Sequence, residues 1–260
     1  DVFMRKVDPL ASRVPYMVVP GNHDSIAEFR GYLHRFNTMS QVAHSSNSSS
    51  PFWGSWRAGA AHIVGISTEH DIETSSPQLE WIQRDLSMAM KARKRGEVSW
   101  IIVAMHRPMY CSNVDKNKTK PEPMALYGDT HDCFINGPRF RKILEPMFVS
   151  AGVDVVLTGH LHNYERSLPV SHGVPHPTAS PHTWTSSAPV HVVIGSGGNI
   201  FAEDNHFVDP LPPWSYFRTP DIGFARLSLN ATDLLWEYVR VHAGLGRVVD
   251  WFHITADLTT

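Results

Sequence analysis

The segment VDVVLTGHLHNYER, residues 153–166, places His160 and His162 two apart, just after an apolar and largely β-branched run. Two other apolar runs also end in polar groups. YMVVP leads into Gly21-Asn22-His23-Asp24, and IIVAM into His106-Arg107-Pro108. Imidazole nitrogen binds zinc, iron and related ions, and a carboxamide oxygen suits a harder ion. In open α/β sheets, ligands gather beyond the carboxyl ends of the strands. If these runs are neighbouring strands, Asn22, His106, His160 and His162 converge on one spot. Residues two apart in an extended segment share a face, so His160 and His162 would serve two adjacent ions or share one. Gly21 and Gly159 are expected to let the backbone turn sharply beside them. Asp24 is expected to fix its turn by hydrogen bonding.

The elements that would carry these residues are readable in outline. An apolar strand is expected at PYMVVP (15–20), a helix over 25–36, a polar loop at HSSNSSSP and a strand at AAHIVGIS. SPQLEWIQRDLSMAMKARKRG reads as a helix, with Ser76 as its cap and Pro77 in its first turn. Leu79, Ile82, Leu86 and Ala89 form its apolar face. VSWIIVAM, a helix over 139–150 and VDVVL follow. After a Pro-, His- and Ser-rich loop (169–189), only strands are expected: PVHVVIG, GFARLSL, TDLLWEYVRV and RVVDWFHI. Alternating strands and helices, with strands apolar on both faces, predict an α/β fold whose central sheet is covered by helices. Trp236, Tyr238, Trp251 and Phe252 are expected in the core.

The 260 residues are 42% hydrophobic and 18% charged, with a net charge of −2. That is an ordinary globular composition with no electrostatic footprint for nucleic acid or an anionic membrane. The longest apolar runs are too short to span a bilayer. Cys111 and Cys133 could close one loop as a disulfide or be two buried thiols. Sequons at Asn47, Asn117 and Asn230 favour an oxidising, secretory compartment, hence a secreted or lysosomal/vacuolar glycoprotein with the disulfide. His172, His176 and His182 have the irregular, Pro-rich spacing of solvated surface. Gly195, Gly197 and Gly198 in GSGGN suggest a tight turn near the site, since no P-loop lysine follows. Arg166 is expected to form an internal ion pair with Glu165 or another acid.

GNHD, VAMH and GHLH, in this order, resemble the last three signature blocks of purple acid phosphatases, within the calcineurin-like metallophosphoesterase superfamily. SPQLEWIQRDL, AMHRPMYCSN, PVHVVIGSGGN and GFARLSLNAT are similar to the family's segments too, so the likeness covers nearly the whole chain. It implies a four-layer αββα sandwich, incomplete at its N-terminus. Residues 1–168 would be the C-terminal part of the catalytic domain, 169–189 a variable loop, and 190–256 a strand-rich region packed on the same domain. It also implies hydrolysis of small phosphate monoesters at acidic pH by a dinuclear centre, Fe(III) plus a divalent zinc, iron or manganese. Asn22, His106 and His160 would bind the divalent ion and His162 the ferric ion. His23 would face substrate phosphate and leaving group as a catalytic residue. Two such ions activate water and clamp phosphoryl oxygens.

The family's earlier blocks, Asp-x-Gly and Gly-Asp-x-x-Tyr, do not precede Gly21. They would supply a bridging aspartate, another aspartate and a tyrosine. The chain therefore reads as the C-terminal piece of a longer protein, with little or no activity alone. Paired histidines that plant-type relatives carry after Val-x-x-His are replaced by NVDKNKT; His131 in the same loop is a weaker candidate for substrate contact. Alternative readings are a nucleotide- or phosphodiester-cleaving metallophosphoesterase and a non-catalytic truncated glycoprotein.

Overall fold

The computed structural model describes residues 2–113, 132–185, 187–198 and 206–256. His131 and Asn117 lie outside the described residues. In chain order the elements begin with α1 (Val2–Ala11), a 3-10 turn (Asn22–Ser25), α2 (Arg30–Arg35) and α3 (Thr38–Ser45). Next come β1 (Gly54–Ala58), β2 (Ala61–Gly65), α4 (Pro77–Lys94) and β3 (Trp100–Met105). They continue with α5 (Gly137–Ala151), β4 (Val155–Thr158), β5 (Tyr164–Ser167), β6 (Val170–Ser171), β7 (Val174–Pro175) and β8 (Thr183–Thr185). The remaining strands are β9 (Val190–Ile194), β10 (Ser215–Thr219), β11 (Gly223–Leu229), β12 (Asp233–His242) and β13 (Leu245–Thr255).

A seven-stranded sheet has the order β1-β2-β3-β4-β9-β5-β10, and a four-stranded sheet the order β11-β12-β13-β8. β2, β3, β4 and β9 run parallel, so their carboxyl ends share one edge. α4 and α5 are the crossovers between successive parallel strands, and both pack on the same face of the sheet. Ser76 caps α4 by accepting from the Leu79 N–H at 3.2 Å. Leu79, Ile82, Leu86 and Ala89 are buried, with the adjacent Trp81, against Ile101, Val103 and Val156 of the sheet. The opposite face of the large sheet packs on the small one through Trp100, Tyr164, Val192, Trp236, Tyr238 and Phe252. Helix, sheet and sheet thus supply three of the four expected layers among the described residues.

Several local expectations need correction. Residues 15–20 form no strand among the described residues. Their apolar side chains favour extension, but a strand also needs a hydrogen-bonded partner, and no described strand pairs with them. The helix expected over 25–36 is confined to 30–35, because Ala27, Glu28 and Phe29 adopt left-handed φ values of 53°, 58° and 60°. α3 and β1 occupy stretches where a loop or no element was expected. Trp251 is not core: it faces outward from the small sheet and is 40% exposed.

A buried ion pair ties the two sheets together. Arg166, on β5, is fully buried and bidentate to Asp250 on β13, with Nε–Oδ2 at 2.6 Å and Nη2–Oδ1 at 2.7 Å. The same carboxylate accepts from the Tyr164 hydroxyl at 2.7 Å. Burial, then the Asp250 charge, holds that hydroxyl's pKa well above its ordinary value. Removing one partner of such a pair strands the other charge in a low-dielectric interior. Asp250→Ala should therefore cost about 3–5 kcal/mol, read as a lowered urea midpoint, whereas Arg247→Ala on the same strand should change it little.

His191 sits on the central strand β9, is 4% exposed, and its ring centroid lies 4.5 Å from that of Tyr110. Burial, and secondarily the Arg141 charge, pushes its pKa down to about 3. The unfolded chain takes up this proton below about pH 6.5, while the native state refuses it until about pH 3. Stability from this group is thus complete above 6.5 and is lost as the pH falls. His191→Leu should shrink the loss of stability between pH 7 and pH 4.5 by about 2–3 kcal/mol, measured by denaturation at both values.

Candidate metal centre

Three of the expected residues meet at the shared carboxyl edge. His106 follows β3 directly, and its Nε2 lies 2.8 Å from Asn22 Oδ1 and 3.0 Å from His160 Nδ1. The two imidazole rings meet edge-on, their centroids 4.9 Å apart. A ring nitrogen carries either one proton or a lone pair. Protonated, His106 Nε2 serves both contacts only by splitting its proton between two acceptors. Unprotonated, it turns a lone pair toward the oxygen of Asn22. A cation at the common point would resolve the arrangement. Two ligands of one ion stand on the order of 3 Å apart, and the two donor separations at His106 are of that size. The residues present fit a metal ion.

The backbone makes this convergence possible in ways that differ from expectation. Gly21 is extended, at φ −116° and ψ 178°, so it makes no sharp turn. It is glycine because of His106: a Cβ at Gly21 would stand 2.7 Å from His106 Cε1. The Gly21 N–H donates to Asp24 Oδ2 at 2.9 Å, the turn-fixing role expected of Asp24. At the other motif, the left-handed residue is His160 itself, at φ 66°, and not Gly159. A side chain in that region costs backbone strain and persists where its surroundings enforce it.

Those surroundings are specific. The chain leaves β4, crosses the carboxyl end of β9, and enters β5 on its far side. Gly195, just past β9, lies directly against this crossing: a Cβ there would fall 1.9 Å from the Leu161 carbonyl oxygen. The Gly195 N–H donates to the Asn163 carbonyl at 3.1 Å. Leu161 is buried in one cluster with Val193 and with Cys111 and Cys133, which form a disulfide. Asn163 Nδ2 donates to Asn113 Oδ1 at 2.8 Å. Glu165 accepts from the Ser112 N–H at 2.8 Å and from the Ser112 and Ser215 hydroxyls at 2.6 Å each. Burial raises the Glu165 pKa above its ordinary value, with these donors acting against the rise.

His162 is half-buried on the same loop. The loop is a bend, and with His160 left-handed the strand alternation that would align the two side chains does not apply. His23 is exposed on the 3-10 turn. Asn47 and Asn230 are exposed as well. Sequence reasoning missed the brace beneath His106. The Arg107 N–H donates to Thr68 Oγ1 at 3.1 Å, and its guanidinium pairs with Glu69, Nε–Oε1 2.9 Å. Thr68 and Glu69 follow β2, the neighbour of β3, so only the strand order reveals them. Arg166 was expected to pair internally, and it does so with Asp250, not with Glu165.

Comparison with known proteins identifies the family. Residues 1–164 match the model of the calcineurin-like phosphoesterase family. Residues 188–251 match that of the iron/zinc purple acid phosphatase-like protein C region. The chain is 34% identical over 259 residues to acid phosphatase type 7 of Danio rerio, covering 96% of this chain and 56% of that protein. It is 32% identical over 244 residues to purple acid phosphatase 18 of Arabidopsis thaliana, covering 92% and 49%. It also superimposes on the purple acid phosphatase isolated from yellow lupin (Lupinus luteus) seeds, with a TM-score of 0.73, 26% identity, and coverage of 99% of this chain and 43% of that one. The chain spans about half the length of the curated relatives it matches. With its histidine and asparagine donors at the carboxyl edge of a parallel sheet, the chain belongs to the calcineurin-like phosphoesterase family and carries the C-terminal region of purple acid phosphatases.

Proposed function

We propose that this protein hydrolyses small phosphate monoesters at acidic pH, in a secreted or lysosomal/vacuolar setting, using a dinuclear metal centre. The observation that carries the reading is the convergence of Asn22 Oδ1, His106 Nε2 and His160 Nδ1 within 2.8–3.0 Å contacts. These three residues would hold a divalent zinc, iron or manganese ion, and His162 would contribute to a neighbouring ferric ion. The metal pair would supply positive charge that activates water and neutralises phosphoryl oxygens. His23, exposed beside Asn22, would contact phosphate or leaving group. Gly21 and Gly195 keep the site open by leaving out side chains. The names of the related acid phosphatases support the monoester assignment.

The test combines binding and turnover. Zn²⁺ or Mn²⁺ titrated into the chain should bind and raise its melting temperature, and His106→Ala should weaken binding by at least tenfold. Gly21→Ala should do the same with the fold retained, since the added Cβ displaces the His106 ring. Gly195→Ala should both weaken binding and destabilise by about 1–3 kcal/mol, as overpacking against fixed backbone does. Hydrolysis of p-nitrophenyl phosphate, weak for these residues alone, should peak on the acid side and be lost with His106→Ala. Metal binding indifferent to Asn22, His106 and His160 would sink the assignment. Full turnover by these 260 residues alone would contradict the expectation that further ligands are needed.

A further inference from the structure

The outer face of the four-stranded sheet carries large exposed apolar side chains among polar ones, which include the Arg226–Glu237 ion pair, and the Trp251 indole stacks on the His182 ring with centroids 4.8 Å apart. Phe224 and Trp251 are 49% and 40% exposed on it. Ser228, Leu235, His253 and Thr183 form one cross-strand row on this face, each opposite the next. Along the row runs a cavity of about 570 Å³, lined among others by Leu235, Trp251, His253 and Asp233. Asn230 is at its rim. A groove that sets apolar side chains beside a few polar groups suits a bound ligand.

Asn230 is unusually well prepared for one occupant. Its Oδ1 accepts from the Thr232 and Asp233 N–H groups at 2.7 and 2.8 Å, and from the Thr232 hydroxyl at 3.1 Å. Its carbonyl accepts from Trp100 Nε1 at 2.7 Å, which fixes the backbone. The amide Nδ2, the atom that a glycan modifies, makes no hydrogen bond among the described residues. Asn230-Ala231-Thr232 is a sequon.

We propose that the N-linked glycan of Asn230 folds back over this sheet face, its proximal sugars filling the cavity beside Trp251 and Leu235. Attachment forms a bond from Nδ2, which loses a proton, to the anomeric carbon of an oligosaccharide. The polyprenyl-diphosphate carrier departs with the electrons of the broken C–O bond. The apolar face of a sugar ring suits the indole of Trp251 and the side chain of Leu235, and its hydroxyls suit His253, Asp233 and Thr183. A sugar tethered at the rim faces the cavity at an effective concentration on the order of millimolar, so a weak site is filled. The inference rests on the oxidising, secretory setting and not on the metal centre.

The test uses the chain secreted from a eukaryotic host, with glycopeptide mass spectrometry at Asn230 and oxidative footprinting of Trp251. Thr232→Ala should abolish the glycan and speed Trp251 oxidation several-fold, while Thr232→Ser should keep both the glycan and the protection. Enzymatic deglycosylation of the wild-type chain should reproduce the Thr232→Ala result without the mutation. Any of three outcomes overturns the proposal: an unmodified Asn230; Trp251 oxidised equally with and without the glycan; or Trp251 protected in every form because another segment covers the face. Metal binding should be unchanged in both Thr232 variants, so failure here is separable from failure of the phosphatase assignment.

Discussion

The chain has to carry the loop after β4 across the end of β9 to reach β5, and the candidate site depends on that crossing. The loop cannot lie flat, because the end of β9 is beneath it. Contact is close enough that only glycine fits at 195. The sulfur atoms of Cys111 and Cys133 and the side chain of Val193 hold Leu161 in place. With Leu161 fixed, His160 is driven into a left-handed conformation, and its ring meets His106. Strain at one histidine is thereby balanced by packing at its neighbour.

Around this crossing, several buried polar groups are tied to distant elements. Glu165, Asn163 and Arg166 lie within six residues of His160: Glu165 is bonded to the segment after β3 and to β10, Asn163 to that same segment, and Arg166 to β13. Buried carboxylates and guanidinium groups are tolerable only when matched this way. The result is a loop whose position is set from several directions, so its histidines are presented on a rigid base.

Much of this was legible in the sequence, but unevenly. α4, α5, β3, β4, β9 and β11–β13 follow from local signals: apolar periodicity, a capping serine, a proline in a first turn, runs of β-branched residues; the short β6–β8 fall in the stretch expected to be a loop, and β5 and β10 carry no such signal. The ends of β3 and β4 announced the donors His106 and His160 for the same reason. Properties set by non-local partners were not legible. Residues 15–20 look like a strand yet find no ladder partner among the described residues. Arg166 names an ion pair but not Asp250, which is 84 positions away. Gly21 and Gly195 are glycines because of what presses on them, and no local rule separates that from a turn. Trp251 looks like core because aromatic residues on strands usually are, and the face it occupies depends on register alone.

The Arg166–Asp250 pair also bears on how such a chain can be divided over evolutionary time. Its positive member belongs to the segment that follows the histidine motif, and its negative member to the last strand. Exchanging the C-terminal portion for an unrelated cassette would leave a guanidinium in the interior with no counter-charge, and would take away β9 from the middle of the large sheet. Recombination breakpoints between residues 167 and 189 should therefore be rare among descendants of this lineage, however tempting the loop looks as a seam.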